Sequence, residues 1–284
     1  MEALFTGCDL PYDPDLLGLD RYFVADEPLA RTAALSAGES LAASDLDPHE
    51  IDALLLCATR IAGEPADHAR LIGDIARTVG VSDAWAAGVT AARCAGLMAG
   101  LRMAEGLVAS GHRHVLLVAA DAAHGPQDRL RPFALFSDGA ASCVLSARDA
   151  RRAGSGFDLI AMSGGGDVAR MDEGARLSAE LNARVDDMLL RRSGTPRGGV
   201  RAVMPTNVFR PVLAMSEIQG GWAPEQLYLD NVARCAHCFA ADPIVNLADY
   251  ARAETLAPGD RIVLAGSVPG LRISAMLAAA TGAV

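Results

Sequence analysis

Cys94 sits in the stretch VTAARCAGLMAGL, at the start of a long and nearly uncharged helical pattern. A thiolate there is favoured by the positive end of the helix and by the free backbone N–H groups of its first turn. Both effects lower a cysteine pKa and make the sulfur a nucleophile. The small Ala and Gly neighbours leave room for a bulky acyl thioester. Cysteine is equally at home as a small buried apolar side chain, so position alone leaves both readings open. A second cluster is NVARCAHCFAADPIVNL, at 231–247. His237 is the right type of residue to act as base or acid near neutral pH, or else to be a hydrogen-bonded loop histidine. Asp242 follows at a helix start, where its carboxylate can orient the imidazole or cap the helix. Cys235 and Cys238 form a C-x-x-C, but no further pair of ligands at matching spacing completes a zinc site, and no thioredoxin-like context supports redox use.

The elements that would position these groups alternate along the chain. Residues 51–59, 114–120, 141–146, 159–163, 200–204 and 261–267 form short, sparsely charged apolar runs bounded by turn residues, which reads as buried strands. Helical spacing covers 28–43, 94–110 and 242–255. The second of these ends at Gly111, a good C-terminal cap, and the third opens Asp-Pro, with proline where its missing N–H does no harm. Such alternation predicts an α/β architecture with sheets covered by helices. Around 150–156 the composition turns basic and Gly-rich and a second strand–helix series begins. The expected organisation is therefore two similar α/β halves, 1–150 carrying the cysteine and 151–284 carrying the histidine. Gly164–Gly166 reads as a glycine turn that matches no phosphate-cradling fingerprint. His112 and His114 read as surface residues at a helix-to-strand junction.

Composition bounds the function. The 284 residues are 51% hydrophobic and 21% charged, with Lys+Arg 25 against Asp+Glu 35 and a net charge of −10. So acidic a chain is a poor general nucleic-acid binder, since phosphate neutralisation needs a basic surface. No apolar run reaches the ~18 residues of a membrane span, and the first residues lack the pattern of a secretory signal. Six cysteines in 284 residues are too sparse for a disulfide scaffold. The expected location is the cytoplasm. Arg191, Arg192, Arg197, Arg201 and Arg210 make the middle of the chain locally basic, a surface that could dock an acidic carrier protein, with Arg201 and Arg210 the candidate contacts.

Taken in order, four segments resemble the β-ketoacyl-acyl-carrier-protein synthase III family of the thiolase superfamily. DLDPHEIDALLLCAT looks like the family's second-strand region and AARCAGLMAGLRMAEGLVASG like its nucleophile helix. FSDGAASCVLS looks like its FGDGAGA segment and LAPGDRIVLAGSVPGL like its closing strand and Gly-rich loop. The resemblance implies a thiolase-like fold of two α/β halves with layered sheets and helices, usually a homodimer, and it makes Cys94 the acyl carrier. It implies no metal and no cofactor beyond the acyl-CoA or acyl-carrier-protein thioester itself.

Three departures from the family pattern shape the expected chemistry. The family's active histidine is replaced at Met204-Pro205-Thr206-Asn207-Val208 by Thr206, with Asn207 beside it. Its Gly-Asn-Thr-Ser corresponds to Ala236-His237-Cys238-Phe239, which puts His237 where an asparagine normally sits. Its Gly-rich loop reads Gly266-Ser267-Val268-Pro269-Gly270, where proline has no N–H to offer an oxyanion, leaving Gly270 as the substitute donor. The His–Asn pair that stabilises a malonyl-derived enolate is thus gone. One Cys with one His still suffices for acyl transfer to a hydroxyl or amine. The expectation is an acyltransferase that serves secondary metabolism; its catalytic residues are Cys94, His237 and Asp242, and Gly270, Thr206 and Asn207 bind substrate or oxyanion. The alternatives are a decarboxylative condensing enzyme and a catalytically silent partner subunit.

Overall fold

Strand β1 (Ala53–Cys57) is buried along its whole length, and its side chains divide between two cores. Ala53, Leu55 and Cys57 enter one cluster, whereas Leu54 and Leu56 enter another. This is the period-2 alternation of a strand covered on both faces, and it explains the unbroken apolar run in the sequence. Each fully buried leucine contributes about 1.5–3 kcal/mol of transfer free energy. The computed structural model describes residues 1–8, 10–81, 83–152, 156–171 and 176–280, so residues 153–155 of the basic Gly-rich stretch lie outside it.

Two four-stranded sheets organise the chain. In the first, β1 lies between β2 (Trp85–Val89) and β3 (His114–Asp121), parallel to both, and β6 (Gly139–Ser146) adds antiparallel to β3. A two-residue pair, β4 (Leu130–Arg131) with β5 (Ala134–Leu135), precedes β6. In the second sheet, β10 (Leu271–Ala279) runs antiparallel to both β7 (Phe157–Gly166) and β9 (Arg261–Val268), and β8 (Val200–Met204) adds parallel to β9. The outer face of the first sheet packs on the helices Leu29–Ser44 and Pro65–Val79 through Ala33, Ala37, Leu41 and Ile75. The outer face of the second packs on the helix Ala179–Ser193 through Leu189 and Leu190. Between the sheets lie the helices Gly96–Ala109 and Asp242–Ala253, whose Leu97, Met98, Leu101 and Leu247 share one core with side chains of both sheets. The result is a layered helix–sheet–helix–sheet–helix α/β fold.

The small residues of the central helix are a requirement of this layering. A Cβ at Gly100 would lie 2.4 Å from Cys57 Sγ, and one at Gly266 would lie 2.8 Å from Met98 Cγ. Helix and sheets approach too closely for larger side chains there. Several sequence expectations change in detail. The helix expected to begin at Cys94 begins at Gly96, and Cys94 occupies the turn Arg93–Ala95 before it. Gly164–Gly166 belongs to β7 and is not a turn. His114 is not a surface residue: it is buried on β3, with Nδ1 2.8 Å from Ser146 Oγ, and burial lowers its pKa.

Candidate active site

Cys94 lies at the N-terminal end of the helix Gly96–Ala109, between the two sheets. The preceding Arg93 adopts φ +50°, a left-handed conformation unusual for a residue with a Cβ. Its guanidinium donates to the Pro269 carbonyl at 2.7 Å, tying the Arg93–Ala95 turn to the hairpin between β9 and β10. Cys94 opens onto a cavity of about 340 Å³ that is also lined by His237, Thr206, Thr59, Asp121 and Phe136. That volume is in the range of small-molecule sites. A wider groove of about 610 Å³ runs between the helices Leu29–Ser44 and Pro65–Val79, and neither a cysteine nor a histidine lines it.

His237 is held from several sides. Its N–H donates to the Leu135 carbonyl and its own carbonyl accepts from the Ser137 N–H, both at 2.9 Å. Phe136 covers the ring, with centroids 4.7 Å apart. Nδ1 lies 2.5 Å from Asp242 Oδ2, so the carboxylate fixes Nδ1 as the protonated nitrogen and turns Nε2 toward the Cys94 side. Among the described residues Nε2 makes no well-aligned hydrogen bond. Burial alone would push the imidazole pKa down, but the Asp242 charge and the adjacent Cys94 sulfur outweigh it and hold the group up at about 10.

Asp242 is fully buried, and its role exceeds that of a helix cap. Besides His237 it accepts from the Asn207 N–H at 2.6 Å, the Cys238 N–H at 2.7 Å and Asn207 Nδ2 at 3.3 Å. These donors satisfy both carboxylate oxygens away from water. Cys94, His237 and Asp242 therefore form a continuous line, a thiol beside an imidazole that is oriented by a carboxylate.

The other sequence candidates separate. Thr206 lines the cavity; its Oγ1 accepts from the Ser267 N–H at 3.2 Å, and its hydroxyl hydrogen has no acceptor among the described residues. Asn207 does not reach the cavity, because its side chain is engaged by Asp242 and Asn246. Gly270 is likewise absent from the lining. It takes φ +75° at the second central position of the two-residue turn between Val268 and Leu271, with Pro269 at the first, a type II pattern. Its own carbonyl accepts from Asp167 N–H instead. Arg201 is paired with Asp260 and Glu254, and Arg210 packs over Gly18; neither lines the cavity.

Two groups at the site had no sequence signal of their own. Thr59 Oγ1 lies 3.7 Å from Cys94 Sγ and 3.4 Å from Asp121 Oδ2. Asp121 ends β3, one residue beyond the apolar run that marks the strand. The FSDGAAS segment also gains a role: Ser137 Oγ accepts from the Phe23 N–H, and Asp138 accepts from Ala25, Ala123 and Arg129, which pins the chain around the cavity wall.

Among the described residues no group of three or more His, Cys, Asp or Glu is placed to hold a metal ion, and no helix is long and apolar enough to cross a membrane. Residues 90–162 match the model of 3-oxoacyl-(acyl-carrier-protein) synthase III, and residues 190–279 match the model of its C-terminal region. The β-ketoacyl-(acyl-carrier-protein) synthase III 3 of Streptomyces coelicolor is 29% identical over 89% of this chain and 84% of its own. Among solved structures, the acyltransferase ChlB3 superposes with a TM-score of 0.84 at 20% identity, covering 95% of this chain and 90% of its own. The synthase III FabH of Pseudomonas aeruginosa PAO1 does so at 0.79 and 23%, covering 100% and 94%. Enzymes of this kind bind acyl-carrier-protein or acyl-CoA and use no cofactor besides the acyl thioester. With both of its regions matched, the chain belongs to the 3-oxoacyl-(acyl-carrier-protein) synthase III family of the thiolase superfamily.

Proposed function

We propose that the protein is an acyltransferase that takes an acyl group from a carrier-protein or CoA thioester onto Cys94 and passes it to a hydroxyl or amine acceptor. The observation that carries this reading is the imidazole at the sulfur, buried and oriented by Asp242, with no second imidazole or free amide among the described residues of the cavity lining. The Cys94 thiolate attacks the thioester carbonyl, and His237 gives its Nε2 proton to the departing carrier thiol. The imidazole then takes the acceptor's proton, the acceptor attacks the acyl-Cys carbonyl, and the Cys94 thiolate leaves. Oxyanion donors are the Cys94 N–H, at the helix end, and the Thr206 hydroxyl, whose hydrogen is free to turn into the cavity. Asn207 is a poor substitute for the lost enolate-binding pair, because Asp242 and Asn246 hold its amide out of the cavity.

The same reading includes a homodimer and a division of the chain into halves at 1–150 and 151–284. Strand β2 supports the first, since it is the edge of its sheet and exposes Trp85. An open edge of that kind pairs readily with another chain. The deciding test is intact mass of the wild type and Cys94→Ala after exposure to a panel of acyl-CoA and acyl-carrier thioesters, followed by candidate acceptors. The expected result is an adduct on the wild type alone that an alcohol or amine discharges. Failure of every thioester to label the protein would overturn the reading. So would discharge only by a malonyl thioester, with release of CO₂.

A further inference from the structure

Thr59 stands between two groups that compete for one hydrogen. Its hydroxyl is in reach of the Cys94 sulfur on one side and of an Asp121 carboxylate oxygen on the other. Both contacts are long, so neither geometry holds the hydroxyl hydrogen firmly, and the charges of the two neighbours decide where it points. We infer that Thr59 and Asp121 form a proton-dependent switch on the nucleophile, in which Asp121 is a positioning residue acting through Thr59. With Asp121 protonated, its O–H donates to Thr59 Oγ1, and the Thr59 hydrogen is directed to the Cys94 sulfur, where it stabilises the thiolate. With Asp121 ionised, the hydroxyl turns to the carboxylate, and Cys94 loses that donor and gains a like charge one hydroxyl away. No bond other than the Asp121 O–H is made or broken, and that proton exchanges with solvent.

The surroundings of Asp121 suit a group that changes charge in the working range. Burial drives its carboxyl up, partly offset by the backbone N–H groups of Thr59, Arg60 and Ala240 and by the Thr59 hydroxyl, and the balance lies at about 7. The groups facing it are Cys57 at the end of β1, Cys94 before the central helix, and His237 across the cavity. Cys57 stays a thiol, since burial pushes it far up. The charged residues toward the cavity mouth are Arg60, Arg93, Arg131 and Asp128. Arg60 and Arg131 contact Asp128, and Arg93 reaches the Pro269 carbonyl. Among the described residues no cation is bonded to Asp121. This inference rests on Cys94 being the nucleophile of the proposed reaction, and it adds that acyl transfer loses rate as Asp121 ionises.

The test is the pH dependence of Cys94 alkylation by iodoacetamide, read at the Cys94 peptide by mass, which needs no acyl substrate. Asp121→Asn is neutral at every pH and its amide can still donate to Thr59, so it holds the switch in the thiolate-stabilising position. The expected result is alkylation like the wild type's well below pH 7, where the wild-type Asp121 is itself protonated, and about tenfold faster between pH 7 and the Cys94 midpoint, with one titration step where the wild type shows two. Thr59→Ser should keep the wild-type profile, and Thr59→Val should lose the second step. An Asp121→Asn profile superimposable on the wild type would overturn the switch while leaving the acyltransferase reading intact. Identical profiles for Thr59→Ser and Thr59→Val would do the same, even if Asp121→Asn fails to fold. A Cys94 that resists alkylation throughout would overturn both.

Discussion

Replacing Asp242 by Asn keeps the shape of the side chain and removes its charge, and the structure sets what must follow. Each carboxylate oxygen accepts two hydrogen bonds: Oδ2 from His237 Nδ1 and the Asn207 N–H, Oδ1 from the Cys238 N–H and Asn207 Nδ2. Whichever oxygen becomes NH₂, it faces a backbone N–H that is left without an acceptor, at a cost of about 1–3 kcal/mol. The charge that opposes burial at His237 also disappears. Holding the imidazole at about 10 against an ordinary 6.5 amounts to about 5 kcal/mol, the net of Asp242 and Cys94 acting against burial. The expected loss in the rate of acyl loading is therefore about 10²- to 10⁴-fold, measured by quenched intact mass. A pH arm separates the charge from the packing. His237 is raised above its unfolded value, so its contribution to stability is fully present below about pH 6.5 and is lost as pH rises toward 10. Wild-type stability to urea should fall through that window, whereas the Asp242→Asn curve should be flat there. Loading within tenfold of the wild type, or an unchanged slope in the variant, would refute the account of Asp242.

Two further outcomes follow from particular residues. Ala236 is buried at φ +54°, ψ −147°, a region open mainly to glycine. Relief of about 1–3 kcal/mol of strain offsets the lost methyl and the added chain entropy, so Ala236→Gly should be neutral or stabilising by up to about 1 kcal/mol. Ala37→Gly, inside the helix Leu29–Ser44, should by contrast cost about 2 kcal/mol. Equal losses in denaturant midpoint would count against strain at Ala236. Arg272 is buried on β10 with Asp186, Glu217, Ser267 and Ser274. Arg272→Met leaves two buried carboxylates unpaired, and a loss of about 3–5 kcal/mol is expected at pH 8. That loss should shrink at pH 5 as Glu217, whose carboxyl burial already pushes up, takes up a proton; a loss under ~1 kcal/mol at pH 8 would contradict the ionic role of the cluster.

The sheets were legible where strands are buried on both faces. The runs 51–59 and 200–204 contain β1 and β8 because apolar residues dominate there, with Arg201 the one exposed charge on β8. Strand β2 was not legible, since after Trp85 its residues AAGV are short, and the strand is mostly exposed at a sheet edge. β10 was hidden by Arg272, a charge that marks a surface in sequence and is satisfied here only by partners from distant elements. The proximity of His237 and Asp242 could be read from their spacing, but their approach to Cys94 depends on the packing of two sheets. Asn207 and Gly270 were placed by position in a motif, and position does not say which way a side chain or N–H turns. Thr59 and Asp121 belong to two strand ends that only sheet pairing brings together.

The clamp on His237 has a kinetic consequence for the proposed reaction. One face of the ring lies against Phe136, one nitrogen is bound to Asp242, and the main chain on both sides is hydrogen-bonded. The imidazole therefore cannot swing between two stations, and Nε2 is the single port for protons. One port holds one proton at a time, so the carrier thiol must depart with it before the acceptor can be deprotonated. Donor and acceptor are thereby forced to take turns, and double-reciprocal plots at several acceptor concentrations should be parallel lines.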